Sequence, residues 1–268
     1  MTVKTILRNG RCFRLGRHRS APEHIARALK FEAYALPGLP APPAPPLNRI
    51  SPLAGVISRL YANDTYGDCT KAGQAHLIGA YTGLANPPAV TFTDQQIVAD
   101  YMRLTGGEDD GLDLITVLND WRDNTKTCLL GAQHKIAGYV AVDATNQQRL
   151  RQAIWLFDGV YLGLELSDQF LKTMPAHSGF VMDNTGPGDP NDGHCIVGID
   201  YQVTGIVVLT WGMWGVMTWD AVSQYLSANN GGECYAVLTQ ESIARASQKA
   251  PSGFDFAALQ ADLQAVAA

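Results

Sequence analysis

The spacing of apolar positions changes partway along the chain. From about residue 69 to about residue 123, apolar residues recur every three or four positions, the period of an α-helix. In CTKAGQAHLIGAYTG, the residues Ala72, Gly73, His76, Leu77 and Ala80 share one face, Asp68 stands at the N-cap position and Gly83 offers a stop. A second helix is predicted in FTDQQIVADYMRL, where Thr93 and Gln96 have capping-box spacing and Ile97, Tyr101 and Leu104 form the stripe. A third is predicted over Leu112 to Asp123, after a loop rich in glycine and aspartate. From Gly138 the period shortens. GYVAVD reads as a strand, TNQQRLRQAIWLF as a helix, and GVYLGLEL alternates with Val160, Leu162, Leu164 and Leu166 pointing one way. HCIVGIDY, GIVVLTWG, VMTWD and ECYAVLT predict further strands, and FDFAALQADLQAVAA a terminal amphipathic helix. Helices first and mostly antiparallel sheet second predict an α+β protein with two segregated layers and a cleft between them.

The first 52 residues break this pattern. Leu36 to Pro52 contains seven of the fourteen prolines, which removes backbone donors and favours a stiff, extended spacer. Ahead of it, Ala21 to Tyr34 predicts a short helix starting near Pro22 with Ser20 as cap. The expected organisation is an extended basic arm and spacer over 1–52, a body over 53–250 with a helical lobe (53–136) and a sheet lobe (137–240), and a helical tail over 251–268.

Composition sharpens this outline. With 46% hydrophobic residues in 268, the chain can bury a substantial core. It has no apolar run of about 18 residues and no signal-peptide pattern, so a soluble cytoplasmic or virion-associated protein is expected. Cys12, Cys69, Cys128, Cys195 and Cys234 are widely spaced with no C-x-x-C pair, which argues against a disulfide framework and a zinc site. Asp183, Asp189 and Asp192 do not have EF-hand spacing and read as a solvated turn, so no metal or cofactor is expected. The net charge of -5 conceals an arm of +6 over residues 1–35 on a body of -11. Such an arm docks onto its own body, a protein partner or second copy, or nucleic acid. Nucleic acid is disfavoured, since the arginines lack interleaved aromatic residues and the acidic body repels a duplex.

A nucleophilic cysteine needs a raised thiolate fraction, a nearby base and donors for an oxyanion. Cys69, at the start of a predicted helix, receives the first from the helix dipole. His76 lies two turns along, about 10 Å away, and reads as a core histidine. His194, opening a strand after a long loop, is the better base, with His177 second; Cys195 must face the opposite side of the strand and reads as core.

The order of these features resembles the papain-like cysteine peptidases, over roughly Tyr61 to Thr239. That family has a cysteine starting a long helix, a glutamine six residues earlier, a histidine opening a strand in the second lobe, and an orienting asparagine about sixteen residues later before a Trp-Gly pair. Cys69 matches the nucleophile, Asn63 the oxyanion-hole amide, His194 the base, and TWGMWG (210–215) the aromatic turn. Three departures stand out: Asn63 replaces glutamine, Thr210 replaces the asparagine, and Asp68 beside the thiol opposes thiolate formation. The resemblance implies a papain-like two-lobed α+β fold and hydrolysis of a peptide or amide bond, with Trp211 screening the histidine. The alternative is a non-catalytic assembly protein, such as a phage virion component, whose arm docks on a partner.

Overall fold

The computed structural model describes residues 3–123, 134–174 and 176–267. Cys128 lies outside the described residues. Among the described residues there are eleven strands. The first five are β1 (Lys4–Arg8), β2 (Arg11–Leu15), β3 (Arg17–His18), β4 (Leu112–Asp113) and β5 (Gly138–Ala141). The others are β6 (Val160–Glu165), β7 (Phe180–Met182), β8 (Gly193–Tyr201), β9 (Gly205–Thr210), β10 (Met213–Thr218) and β11 (Glu233–Leu238). Seven form the main sheet in the order β5-β11-β6-β8-β9-β10-β7, antiparallel throughout except for the β7–β10 pair.

Both faces of this sheet are covered, and alternation along each strand sorts side chains between two cores. Leu162, Leu164, Ile196, Ile206 and Val208 pack with the helix Gln147–Phe157 on one face. Tyr161, Cys195, Val197, Val207 and Leu209 pack on the other, against the helix Cys69–Ala85 and its neighbours. The one-sided alternation expected of Val160, Leu162, Leu164 and Leu166 is what places all four in the first core.

The helix Cys69–Ala85 does not have the single apolar face expected. Thr70, Lys71 and Gln74 are buried along with the apolar residues, because sheet and helices enclose it; Lys71 is paired with Asp100 at 2.6 Å. It also runs past Gly83 to Ala85. The capping box at Thr93 and Gln96 forms as predicted and starts the helix Asp94–Thr105. The third helix starts two residues late, at Leu114, because Leu112 and Asp113 are drawn into β4 by pairing with the arm.

The N-terminal region also departs from expectation. Pro22 occupies the first helical turn, but Ser20 is no cap: its hydroxyl donates to Asp113 (3.2 Å), and the helix stops at Arg27 before a second short one, Phe31–Tyr34. The arm is a β1–β2 hairpin followed by β3, not one extended segment. Its cations pair within the chain, Lys4 with Asp192, Arg14 with Asp109, Arg17 with Glu233 and Arg19 with Glu165. Among the described residues no helix is long and apolar enough to cross a membrane.

Candidate active site

A tight turn with left-handed backbone at Tyr61 and Ala62 (φ 54° and 64°) leads through Asn63 to Cys69, the first residue of the long buried helix. Asp68 holds the N-cap position, but its carboxyl makes no capping bond. It is buried without a hydrogen-bond partner among the described residues. Burial pushes it well above the usual carboxylate range, a shift the nearby Asn63 amide only partly opposes.

The opposite wall is built by a two-residue hairpin. Thr210 and Met213 pair across β9 and β10, and the two residues between them, Trp211 and Gly212, both take left-handed backbone (φ 48° and 69°). That geometry matches the right-handed twist of the flanking strands, and glycine relieves it at the second position. The turn lays the Trp211 ring flat on His194, with centroids 4.0 Å apart and planes 13° from parallel. The Thr210 hydroxyl lies 2.7 Å from His194 Nε2. Nδ1, the other ring nitrogen, is buried with no hydrogen-bond partner among the described residues. An imidazole that donates from Nε2 to the hydroxyl therefore keeps Nδ1 as a free acceptor.

The arm passes between these walls. Phe13 packs edge-on against Trp211 at 5.3 Å. The Arg14 carbonyl accepts from Asn63 Nδ2 and Trp211 Nε1, both at 3.4 Å, and the Arg14 amide donates to the Asn63 carbonyl at 3.1 Å. Gly16 lies directly on Gly67, where a Cβ would collide with the Gly67 carbonyl, and its own carbonyl accepts from the Leu112 amide at 2.9 Å. Arg17 follows, its carbonyl against Gly193, the residue before His194.

This enclosure sets the protonation states. Burial is the main cause that pushes the Cys69 thiol up to about 12. The backbone amides of Cys195 and Gly16 and the charge of Arg17 pull it down, while Asp68 pushes it further up. Burial pushes His194 down to about 3. Both groups are neutral near pH 7 while the arm is in place.

The other candidates separate cleanly. His76 is buried, packs edge-on to Tyr61 at 4.9 Å and is pushed down to about 4 by burial, as a core histidine would be. Cys195 lies in the core between sheet and helix, where a Cβ on Gly73 would come within 3.0 Å of its sulfur. His177 is exposed, its ring beside the Ser178 carbonyl at 3.1 Å. The aspartates of the preceding loop are not simply solvated: Asp192 is fully buried and paired with Lys4 at 2.6 Å, whereas Asp183 accepts from the Thr218 hydroxyl at 2.8 Å. Carboxylates of Asp168, Asp189 and Asp192 come within 4.8 Å of one another, and the Lys4 ammonium supplies the positive charge there.

Sequence reasoning missed Gly16, Arg17 and Glu233. Their contacts span up to 216 positions, and a single basic residue in a basic arm carries no signal of burial.

No protein-family profile matches the sequence, and no curated protein matches it significantly. Solved structures do match. Xylellain, a cysteine protease from Xylella fastidiosa, superposes with a TM-score of 0.58 at 13% identity, covering 84% of this chain and 96% of its own. The ragweed pollen allergen Amb a 11, a cysteine protease in its proform, gives 0.50 at 15% identity over 66% of this chain and 60% of its own. The cysteine protease and lectin-like domains of Cwp84 from Clostridium difficile give 0.51 at 12% identity over 74% and 53%. With the two-core sheet and the buried helix that starts at Cys69, these likenesses identify the chain as one with a papain-like fold.

Proposed function

We propose that the chain is a papain-like thiol hydrolase of peptide or amide bonds, held in a blocked state by its own N-terminal arm. The observation that carries this reading is His194: its Nε2 is tied to Thr210 under the Trp211 ring, and its Nδ1 is left unpartnered among the described residues, on the same strand whose next residue, Cys195, turns its amide to the Cys69 sulfur. Cys69 passes its proton to His194 and attacks the substrate carbonyl carbon. The resulting oxyanion takes hydrogen bonds from the Cys69 amide and Asn63 Nδ2. His194 returns the proton to the leaving amine as the C–N bond breaks. Water, deprotonated by the same ring, then hydrolyses the thioester.

In the blocked state Asn63 Nδ2 already holds the Arg14 carbonyl and the Tyr66 carbonyl (3.2 Å), so a substrate needs the arm displaced. Withdrawal admits water to the cleft, relieving the desolvation that keeps thiol and imidazole neutral. The alternative, an assembly protein whose arm seeks a partner, has less support, since Phe13, Leu15 and Arg17 are already buried within their own chain.

The test is hydrolysis of a fluorogenic peptide library, together with iodoacetamide labelling of Cys69, in the full chain and in an Arg17→Ala variant. Loosening the arm should raise both, and Cys69→Ala and His194→Ala should abolish hydrolysis. If the loosened variant cleaves nothing and labels Cys69 no faster than a free model thiol, the hydrolase reading fails.

A further inference from the structure

Arg17 is the most deeply buried of the ion-paired cations of the arm, with its side chain 0% exposed. Its guanidinium is ion-paired with Glu233, itself 2% exposed, at the start of β11, and its charge lowers the Cys69 thiol slightly against the effect of burial. The Arg17 Nη2 also donates to the Gly231 carbonyl at 2.9 Å. The space is shaped for it: a Cβ at Gly163 would come within 2.8 Å of the guanidinium Nε. Glu233 is oriented from behind by the Tyr235 hydroxyl, which donates to its Oε2 at 2.9 Å.

Two features mark this as a binding pocket and not a permanent ion pair. First, Arg17 Nε and Nη1 have no hydrogen-bond partner among the described residues, so the arm is held by a guanidinium with only Nη2 satisfied. Second, the other groups that neutralise Glu233 belong to the N-terminal region. The Ser20 amide donates to its Oε1 at 3.0 Å and Arg17 supplies the charge. When this region lifts from the cleft, the one partner Glu233 retains among the described residues is the Tyr235 hydroxyl. A buried carboxylate without a counter-charge is costly, so whatever refills the cleft is selected for a cation.

We infer that the Glu233 pocket is a specificity pocket for a cationic side chain, arginine above lysine, on the peptide that replaces the arm. Arginine is preferred because the bare Gly163 leaves room for a flat guanidinium, whose Nη2 reaches both the Gly231 carbonyl and the carboxylate, and because a guanidinium gives up its hydration more readily than an ammonium. The substrate assignment rests on the hydrolase reading; occupation of the pocket by a cation does not.

The experiment uses the full chain carrying Arg17→Ala, which empties the pocket. n-Propylguanidinium should raise its thermal midpoint saturably, n-propylurea should not, and the Arg17→Ala/Glu233→Gln double variant should respond to neither. In the peptide assay, arginine at one position should be favoured over leucine or citrulline by about tenfold or more, and Glu233→Gln should erase the preference. Arg17→Met, which keeps the stem without the charge, serves for the peptide assay if the alanine variant does not fold. Equal responses to guanidinium with and without Glu233 would overturn the pocket. Efficient cleavage with no preference for a cation would overturn the specificity and leave the hydrolase reading standing. Saturable rescue with no peptide cleaved would uphold the pocket and remove the hydrolase reading, taking the substrate assignment with it.

Discussion

Two buried arginines tie the N-terminal fifty residues to the body, and they do so differently. Arg49, at the end of the proline-rich spacer, donates from Nη1 to the Ile154 and Ile199 carbonyls (3.0 and 2.9 Å) and pairs with Asp158. Asp158 is paired in turn with Arg245 (2.7 Å) and Lys249 (3.6 Å), and the spacer backbone at Leu47 and Arg49 donates to Asp200. Arg17, in the arm, has one carbonyl and one carboxylate, and among the described residues its other two nitrogens are unpartnered. A charge network satisfied on every side behaves as a rivet, whereas one satisfied on part of its donors behaves as a plug. From this difference, the chain is expected to release residues 4–20 from the cleft while residues 47–49 remain fastened.

The largest effect that tests this contrast is the loss of Asp158. Asp158→Ala strands a buried Arg49 and should cost about 3–5 kcal/mol, read by denaturant or thermal unfolding. Arg17→Ala should cost less, about 1–3 kcal/mol, because a loosened arm lets water reach Glu233. It should also raise the alkylation rate of Cys69 at least tenfold (about 1.4 kcal/mol in free energy), which Asp158→Ala should not do in the folded protein. Equal losses of stability with no change in alkylation would erase the distinction.

Gly163→Ala should have the arm-specific effect without touching a charge. Its new Cβ would meet the Arg17 guanidinium at 2.8–3.1 Å, so the arm should loosen at a cost of about 1–3 kcal/mol, with faster Cys69 labelling and an undisturbed Arg49 network. Acid provides a graded version. His194 and His76 are held neutral by burial, down to about 3 and about 4, against an unfolded value near 6.5. Below that value the unfolded chain binds protons that the folded chain does not, so stability should fall by about 1 kcal/mol per pH unit for each ring as pH drops from 6.5 toward 4. Asp68, raised well above its ordinary value, runs the other way in part of this window, so Asp68→Asn should steepen the acid loss. The smallest effect is on the thiol: the same Asp68→Asn change removes a charge that pushes Cys69 up, and the midpoint of its alkylation-pH profile should move down by a fraction of a unit.

Much of the scaffold was legible because it rests on local rules. The capping box at Thr93, the Pro22 helix start and the alternation in 160–166 are set by neighbours within a few residues, and each appears as read. The sixteen-residue separation of His194 and Thr210 was also legible, and their side chains meet across the β8–β9 pair. Other readings failed where tertiary contacts overrode local ones. Ser20 abandons the cap for Asp113, Asp68 is buried too deeply to cap, and Leu112 leaves the helix to pair with Arg17.

By itself the sequence determined the main helices and strands of the body between residues 69 and 238, since periodicity and capping act over one or two turns. Only the tertiary structure decided that the basic arm lies in its own cleft, that Gly16 covers the thiol and that Glu233 receives Arg17. Those outcomes depend on burial and charge pairing between residues up to 216 positions apart, and no local pattern encodes the cost of leaving a carboxylate unpaired in a place that forms only once the chain has folded.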